Sequence, residues 1–153
     1  MSKTVTFLSV FLCSSLASAF AATPVSYVCN GKYAVGFAFN KKTHAWAPTQ
    51  FNPRQYLIQV PKRGPNQPGG AQTAVLAVYE VGHHNTMPFF CDQDFNKAGY
   101  IRCDGFGETF MFNRKTHRFE HWFTFGYIDP PGSFWGPEGT ATPFIEIGTC
   151  ASA

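Results

Sequence analysis

The stretch YEVGHHN brings Glu80, His83 and His84 close together, and carboxylate with imidazole is a donor set that suits divalent transition metals. Adjacent histidines generally point in different directions, however, and the spacing supplies no third ligand. Glu80, His83 and His84 therefore stand as candidate ligands for a metal-dependent hydrolase, while the expectation for the chain is no metal and no other cofactor. His117 and His121 form a second pair, at a spacing that would put both rings on one face of a helix. On a strand that spacing spans about 13 Å, too far for one ion held at roughly 2 Å. His121 alone, set among aromatic residues, reads as a hydrogen-bonded core histidine, or as a pocket residue if the strands close into a barrel.

Other reactive groups are sparse. Asp92, Asp94, Asp104, Glu108 and Glu120 show no spacing that fixes a carboxylate pair, and the serines lack a Gly-x-Ser-x-Gly elbow. With the cysteines expected to be oxidised, no nucleophile stands out. No catalytic residue is assigned, and an enzyme is the less favoured class.

Two related stretches, FNKKTHAW at Phe39 to Trp46 and FNRKTHRF at Phe112 to Phe119, could be duplicate sites for a metal or an anion. A turn explains them more simply. Asn40 and Asn113 suit the first position of a four-residue hairpin loop, where the side-chain oxygen accepts backbone N–H groups two residues on. The basic residues then occupy exposed turn positions, and His44 and His117 sit where the chain needs positive φ to re-enter a strand. The two hairpins should share one end of the sheet if Asp104-Gly105 is a turn, and lie at opposite ends if it is a bulge.

The elements that must position these groups read as strands. Beyond the first segment there is no helix-period window of useful length; short aromatic and β-branched runs recur between Gly, Pro, Asn and Asp clusters. Strands are expected at Val25 to Cys29, Tyr33 to Phe39, His44 to Phe51, Tyr56 to Val60, Thr73 to Val81, Phe89 to Cys91, Tyr100 to Cys103, Phe106 to Phe112, Arg118 to Ile128 and Phe144 to Ile147. The fold class is all-β: a small antiparallel meander closing into a barrel or compact sandwich, stapled by disulfides. In the strand from Tyr33, large residues on one face oppose Ala34, Gly36 and Ala38 on the other, which suits a curved sheet. In the strand from Arg118, the face carrying Phe119, His121, Phe123, Phe125 and Tyr127 is expected to be core.

Residues 1–21 carry Lys3, an apolar run and small residues before two possible cleavage points, after Ala19 or Ala21, the pattern of a secretory signal peptide. Removing it leaves roughly 130 residues for a single β domain at 22–153, enough to bury about two-thirds of the unfolded surface. No later segment has the roughly 20 apolar residues of a membrane-spanning helix. The protein is expected to be secreted or periplasmic, soluble and monomeric. Its formal charge of +3 comes from scattered residues, which argues against a nucleic-acid partner. Once Cys13 leaves with the signal, Cys29, Cys91, Cys103 and Cys150 remain, and an oxidising compartment favours two disulfides. Three connectivities are open; the short span from Cys91 to Cys103 suits a hairpin clip, which would pair Cys29 with Cys150.

The ending TPFIEIGTC, preceded by GETFMFNRKTHRF and FGYI, resembles a group of small, uncharacterised exported bacterial β-proteins. The resemblance covers Cys103 to Cys150. It implies export, a β fold and a cysteine near the C-terminus, with no activity and no site residues. Within it, Glu146 reads as a solvent-facing carboxylate, or as an acceptor of backbone or Arg hydrogen bonds at a sheet edge.

Phe134 and Trp135 occupy a Gly/Pro-rich loop, a poor place to bury aromatic rings; they could contact a protein or glycan partner or fold over a barrel mouth. The leading expectation is a non-catalytic binding module that meets an unknown protein or glycan partner through Phe134 and Trp135. The alternatives are a barrel carrying a small apolar ligand lined by His121, and the Glu80/His83/His84 hydrolase.

Overall fold

Side chains alternate across a strand, so chains of this pattern bury one face by curling a sheet around it. The computed structural model describes residues 25–65, 69–83, 87–130, 132–133 and 141–153. The expected signal segment, His84, Phe134 and Trp135 lie outside the described residues. Among the described residues nine strands form one antiparallel sheet: β1 (Tyr27–Asn40), β2 (Ala45–Phe51), β3 (Gln55–Gln59), β4 (Leu76–Glu80), β5 (Phe89–Cys91), β6 (Tyr100–Asp104), β7 (Glu108–Asn113), β8 (Arg118–Phe123) and β9 (Phe144–Ser152). A short helix, α1 (Gly69–Thr73), precedes β4. Pairing of β1 with β9 closes eight strands into a barrel, and β2 is the additional strand. Among the described residues no helix is long and apolar enough to cross a membrane.

The strand boundaries depart from the sequence reading in informative ways. β1 is one continuous strand instead of two, because its register shifts at Gly31 and the chain bulges there without turning. Thr73 ends α1 and the following strand starts at Leu76. β8 stops at Phe123 instead of Ile128: Gly126 takes φ 112° and its N–H is captured by Asp129 Oδ2 at 2.7 Å. Tyr127 is accordingly exposed and does not join the core. β9 runs on to Ser152 because β1 pairs with it as far as Tyr27, beyond the end of its β8 ladder at Thr149.

Both duplicated stretches are turns. Asn40 Oδ1 accepts the N–H groups of Lys42 and Thr43 at 2.9 and 3.3 Å, and Asn113 Oδ1 those of Lys115 and Thr116 at 2.8 and 3.4 Å. His44 and His117 have φ of 51° and 56°. Asp104-Gly105 is also a turn, with the Gly105 N–H on the Glu108 carbonyl at 2.9 Å, yet the two hairpins lie at opposite ends of the barrel. The reason is a missing reversal. β2 and β3 both run antiparallel to β1 and follow one another along its edge, so the chain only kinks at Asn52-Pro53.

The interior is filled from every wall. Tyr56 and Ile58 of β3, Val78 of β4, Phe110 and Phe112 of β7 and Phe119 of β8 are buried together, each worth about 2–3 kcal/mol of hydrophobic stabilisation. Phe110 stacks on Phe119 with centroids 4.9 Å apart. At one end Tyr27, Phe95 and Phe112 pack edge to face. Disulfides join Cys29 to Cys150 and Cys91 to Cys103. The first crosses the seam that closes the barrel; the second clips β5 to β6, where a single residue pair, Phe90 with Asp104, holds the register. Two disulfides in so small a fold are consistent with an oxidising compartment.

Candidate functional site

The far end of the barrel is open. There β3, β7 and β9 begin while β4 and β8 end, so their terminal side chains converge on one rim. They enclose a cavity of about 550 Å³, within the range of small-molecule sites. Its walls carry Phe51, Phe89, Phe106, Phe123, Phe144 and Met87, with Arg54, Glu80, Glu108 and Glu146 as the charged groups.

Beneath this cavity lies a buried polar chain. Tyr56 Oη donates to Glu146 Oε2 at 2.6 Å and lies 2.8 Å from His121 Nδ1. Glu146 Oε1 accepts the Arg54 backbone N–H at 2.6 Å. Since the single phenolic proton goes to Glu146, the Tyr56 oxygen accepts from His121 Nδ1–H, which leaves Nε2 with a lone pair. That Nε2 has no hydrogen-bond partner among the described residues; it faces Glu108 Oε1 on the cavity wall at 3.8 Å. His121 and Glu146 are both fully buried. Gly31 makes room for this arrangement, since a Cβ there would collide with Glu146 Oε1 and the Arg54 carbonyl.

Burial sets the electrostatics. It drives the His121 pKa down to about 3, helped by the Arg54 charge, so the ring is neutral at physiological pH. Burial also pushes Glu108 up, against the pull of Arg54 and with a contribution from Glu80. Glu146 is raised by burial too, although the Tyr56 hydroxyl and the Arg54 N–H and charge favour its ionised form. Tyr56 is raised by burial and by Glu146, and stays protonated. Arg54 is committed to its neighbours: Nη1 meets Glu80 Oε2 at 3.2 Å, and the guanidinium lies 4.9 Å over the Phe144 ring.

Of the residues expected from sequence, His121 is a hydrogen-bonded core histidine that lies beneath the cavity and is not among its lining residues. Glu80 joins the rim and has His83 Nε2 at 3.5 Å from Oε1. Among the described residues no group of three potential ligands converges on one point. Phe134, Trp135 and His84 fall in undescribed stretches of the β8–β9 and β4–β5 connections.

Sequence reasoning did not assign Tyr56, Arg54 or Glu108 to a site; for Glu146 it foresaw a backbone acceptor, which the Arg54 N–H meets, but placed it at a sheet edge or in solvent. Glu146 sits on a strand paired on both sides, facing the interior, and does not lie at an edge or in solvent. The signal was available: Glu146, Gly148 and Cys150 alternate onto one face, and a cysteine bonded across the barrel seam marks that face as internal. Likewise Glu108 shares its face with Phe110 and Phe112. No protein family, curated protein or solved structure matches this chain, so the pocket itself has to carry the functional reading.

Proposed function

We propose that the protein is a non-catalytic ligand-binding barrel that holds a small molecule in its mouth cavity, and that it works outside the cytoplasm, secreted or periplasmic. The cavity carries this reading: about 550 Å³, walled by aromatic rings around a few convergent polar groups, above a base locked by hydrogen bonds. The chemistry of the base argues for binding over turnover. A histidine whose pKa is held near 3 is a poor base at neutral pH, and a phenol raised by burial is a poor nucleophile. The four described cysteines are all in disulfides. Native mass spectrometry of the oxidised protein, purified from a periplasm without chelator, tests the reading. A reproducible adduct released on denaturation, and lost when Phe89 and Phe144 are both replaced by Ala, is the expected result. A bare mass together with no thermal shift across a small-molecule library would sink it.

A second reading, a module that docks a protein or glycan, has its own support. The outer face carries exposed Tyr33, Val35, Phe37, Ile145 and Ile147, continuing to Tyr127 and Ile128. A partner complex abolished by Phe37→Lys or Trp135→Ala, yet indifferent to Glu108→Gln, would favour it.

A further inference from the structure

Among the charged groups that line the cavity, carboxyls predominate. Glu80, Glu108 and Glu146 line it as carboxyls, with Asn52 and Thr142 as the neutral polar residues, and His121 Nε2, a bare lone pair, lies behind the wall 3.8 Å from Glu108. The one guanidinium, Arg54, is engaged by Glu80 at 3.2 Å. Three carboxyl groups against one cation leave the site electronegative. The rings of Phe89, Phe123 and Phe144 present π-faces or edges to the same space, and π-faces attract cations. His121 is the independent observation here: a fully buried imidazole has an unpartnered nitrogen turned toward Glu108, and no described residue donates to it.

We propose that the pocket selects an organic ammonium, a primary or secondary amine joined to an apolar body about the size of one ring. The ammonium meets Glu108 on the cavity wall, in front of His121 Nε2, and the body lies among the phenylalanines. This inference rests on reading the cavity as the ligand site. An anionic ligand fits poorly, since it would have to take Arg54 from Glu80 while lying against Glu108. Because burial raises the Glu108 pKa, acidification neutralises it sooner than an exposed carboxylate and should weaken binding. Of the other groups facing it, His121 stays neutral through that range, Tyr56 stays protonated, and Glu146, also raised by burial, changes in the same direction as Glu108; Arg54 and Glu80 are the remaining charged groups on the wall.

The test uses 2-phenylethylamine against its neutral and anionic isosteres, 2-phenylethanol and 3-phenylpropionate, titrated into the oxidised protein by calorimetry and amide NMR. Expected is amine binding that shifts the amides of Phe89, Glu108, Phe123 and Phe144, at least tenfold tighter than either isostere. Glu108→Gln should weaken the amine at least tenfold and flatten its pH dependence. Glu120→Gln, which removes the same charge from the exposed outer face of β8, should leave it unchanged. If the alcohol or the acid binds the same residues as tightly, the ammonium inference falls while the pocket reading stands. If none of the three perturbs the pocket, the ammonium inference falls, and the adduct experiment above decides the pocket reading separately.

Discussion

The two ends of the barrel are built from the same strands and yet do opposite work. At the closed end, Tyr27, Phe95 and Phe112 pack ring against ring, and the Cys29–Cys150 bridge holds the seam nearby. At the open end, Arg54, Glu80, Glu108 and Glu146 crowd a cavity above His121. Burying charge and an unpaired imidazole nitrogen costs free energy, whereas burying rings returns it. Stability is thus concentrated at one end, and the strain of a polar interior is tolerated at the other, the arrangement expected of a scaffold that carries a site.

The sharpest way to break this contrast is to weaken the closed end. Replacing Cys29 and Cys150 together by Ser opens a loop whose ends are 121 residues apart, and should cost about 4–5 kcal/mol in denaturant unfolding. Next in size is the polar base. Tyr56→Phe removes the hydroxyl shared by Glu146 and His121 and should cost about 1–3 kcal/mol. A cost as large as that of the disulfide would mean that stability is not segregated by end.

The pH dependence sharpens the comparison further. His121 is neutral in the folded barrel down to about pH 3, while the unfolded chain takes up its proton near the ordinary histidine value. The unfolded state therefore binds more protons between these limits. The stabilisation from keeping His121 neutral is complete above about pH 6.5 and is lost at about 1.4 kcal/mol per unit as pH falls toward 3. Glu108 and Glu146, whose pKa values are raised, act oppositely and gain stability on acidification. Comparing wild type with His121→Phe from pH 7 to 5 isolates the histidine: the wild type should lose stability relative to the variant as pH drops.

The smallest effects should come from the twin hairpins. Glycine relieves the positive φ at either position, a gain of up to about 1 kcal/mol. His44→Gly should show it. His117→Gly should show less, because His117 Nδ1 also bonds the Cys150 carbonyl at 3.1 Å.

What was legible in the sequence follows from the range of the forces involved. Alternation and turn chemistry act within a few residues, so the all-β class, the Asn40 and Asn113 turns and the left-handed histidines could be read directly. The inward face of β8 was partly legible for the same reason: Phe119 and His121 are buried as expected, while Tyr127 lies beyond the end of the strand. The site was not legible, because Glu108, His121 and Glu146, on three separate strands, meet Arg54 of the β2–β3 connection only once the barrel is in register. The kink at Asn52-Pro53 carries no local mark that separates it from a reversal, yet it decides which hairpin shares an end with which.

The seam between β1 and β9 joins the first strand to the last. A chain emerging N-terminus first can form its hairpins as they appear, but it cannot close the cylinder until β9 is available. Until then β1 has one long edge unpaired, and that edge is open to pairing with strands of another molecule. Closure across so long a separation slows folding. The step that completes the cavity is therefore also the step that removes the main hazard of aggregation.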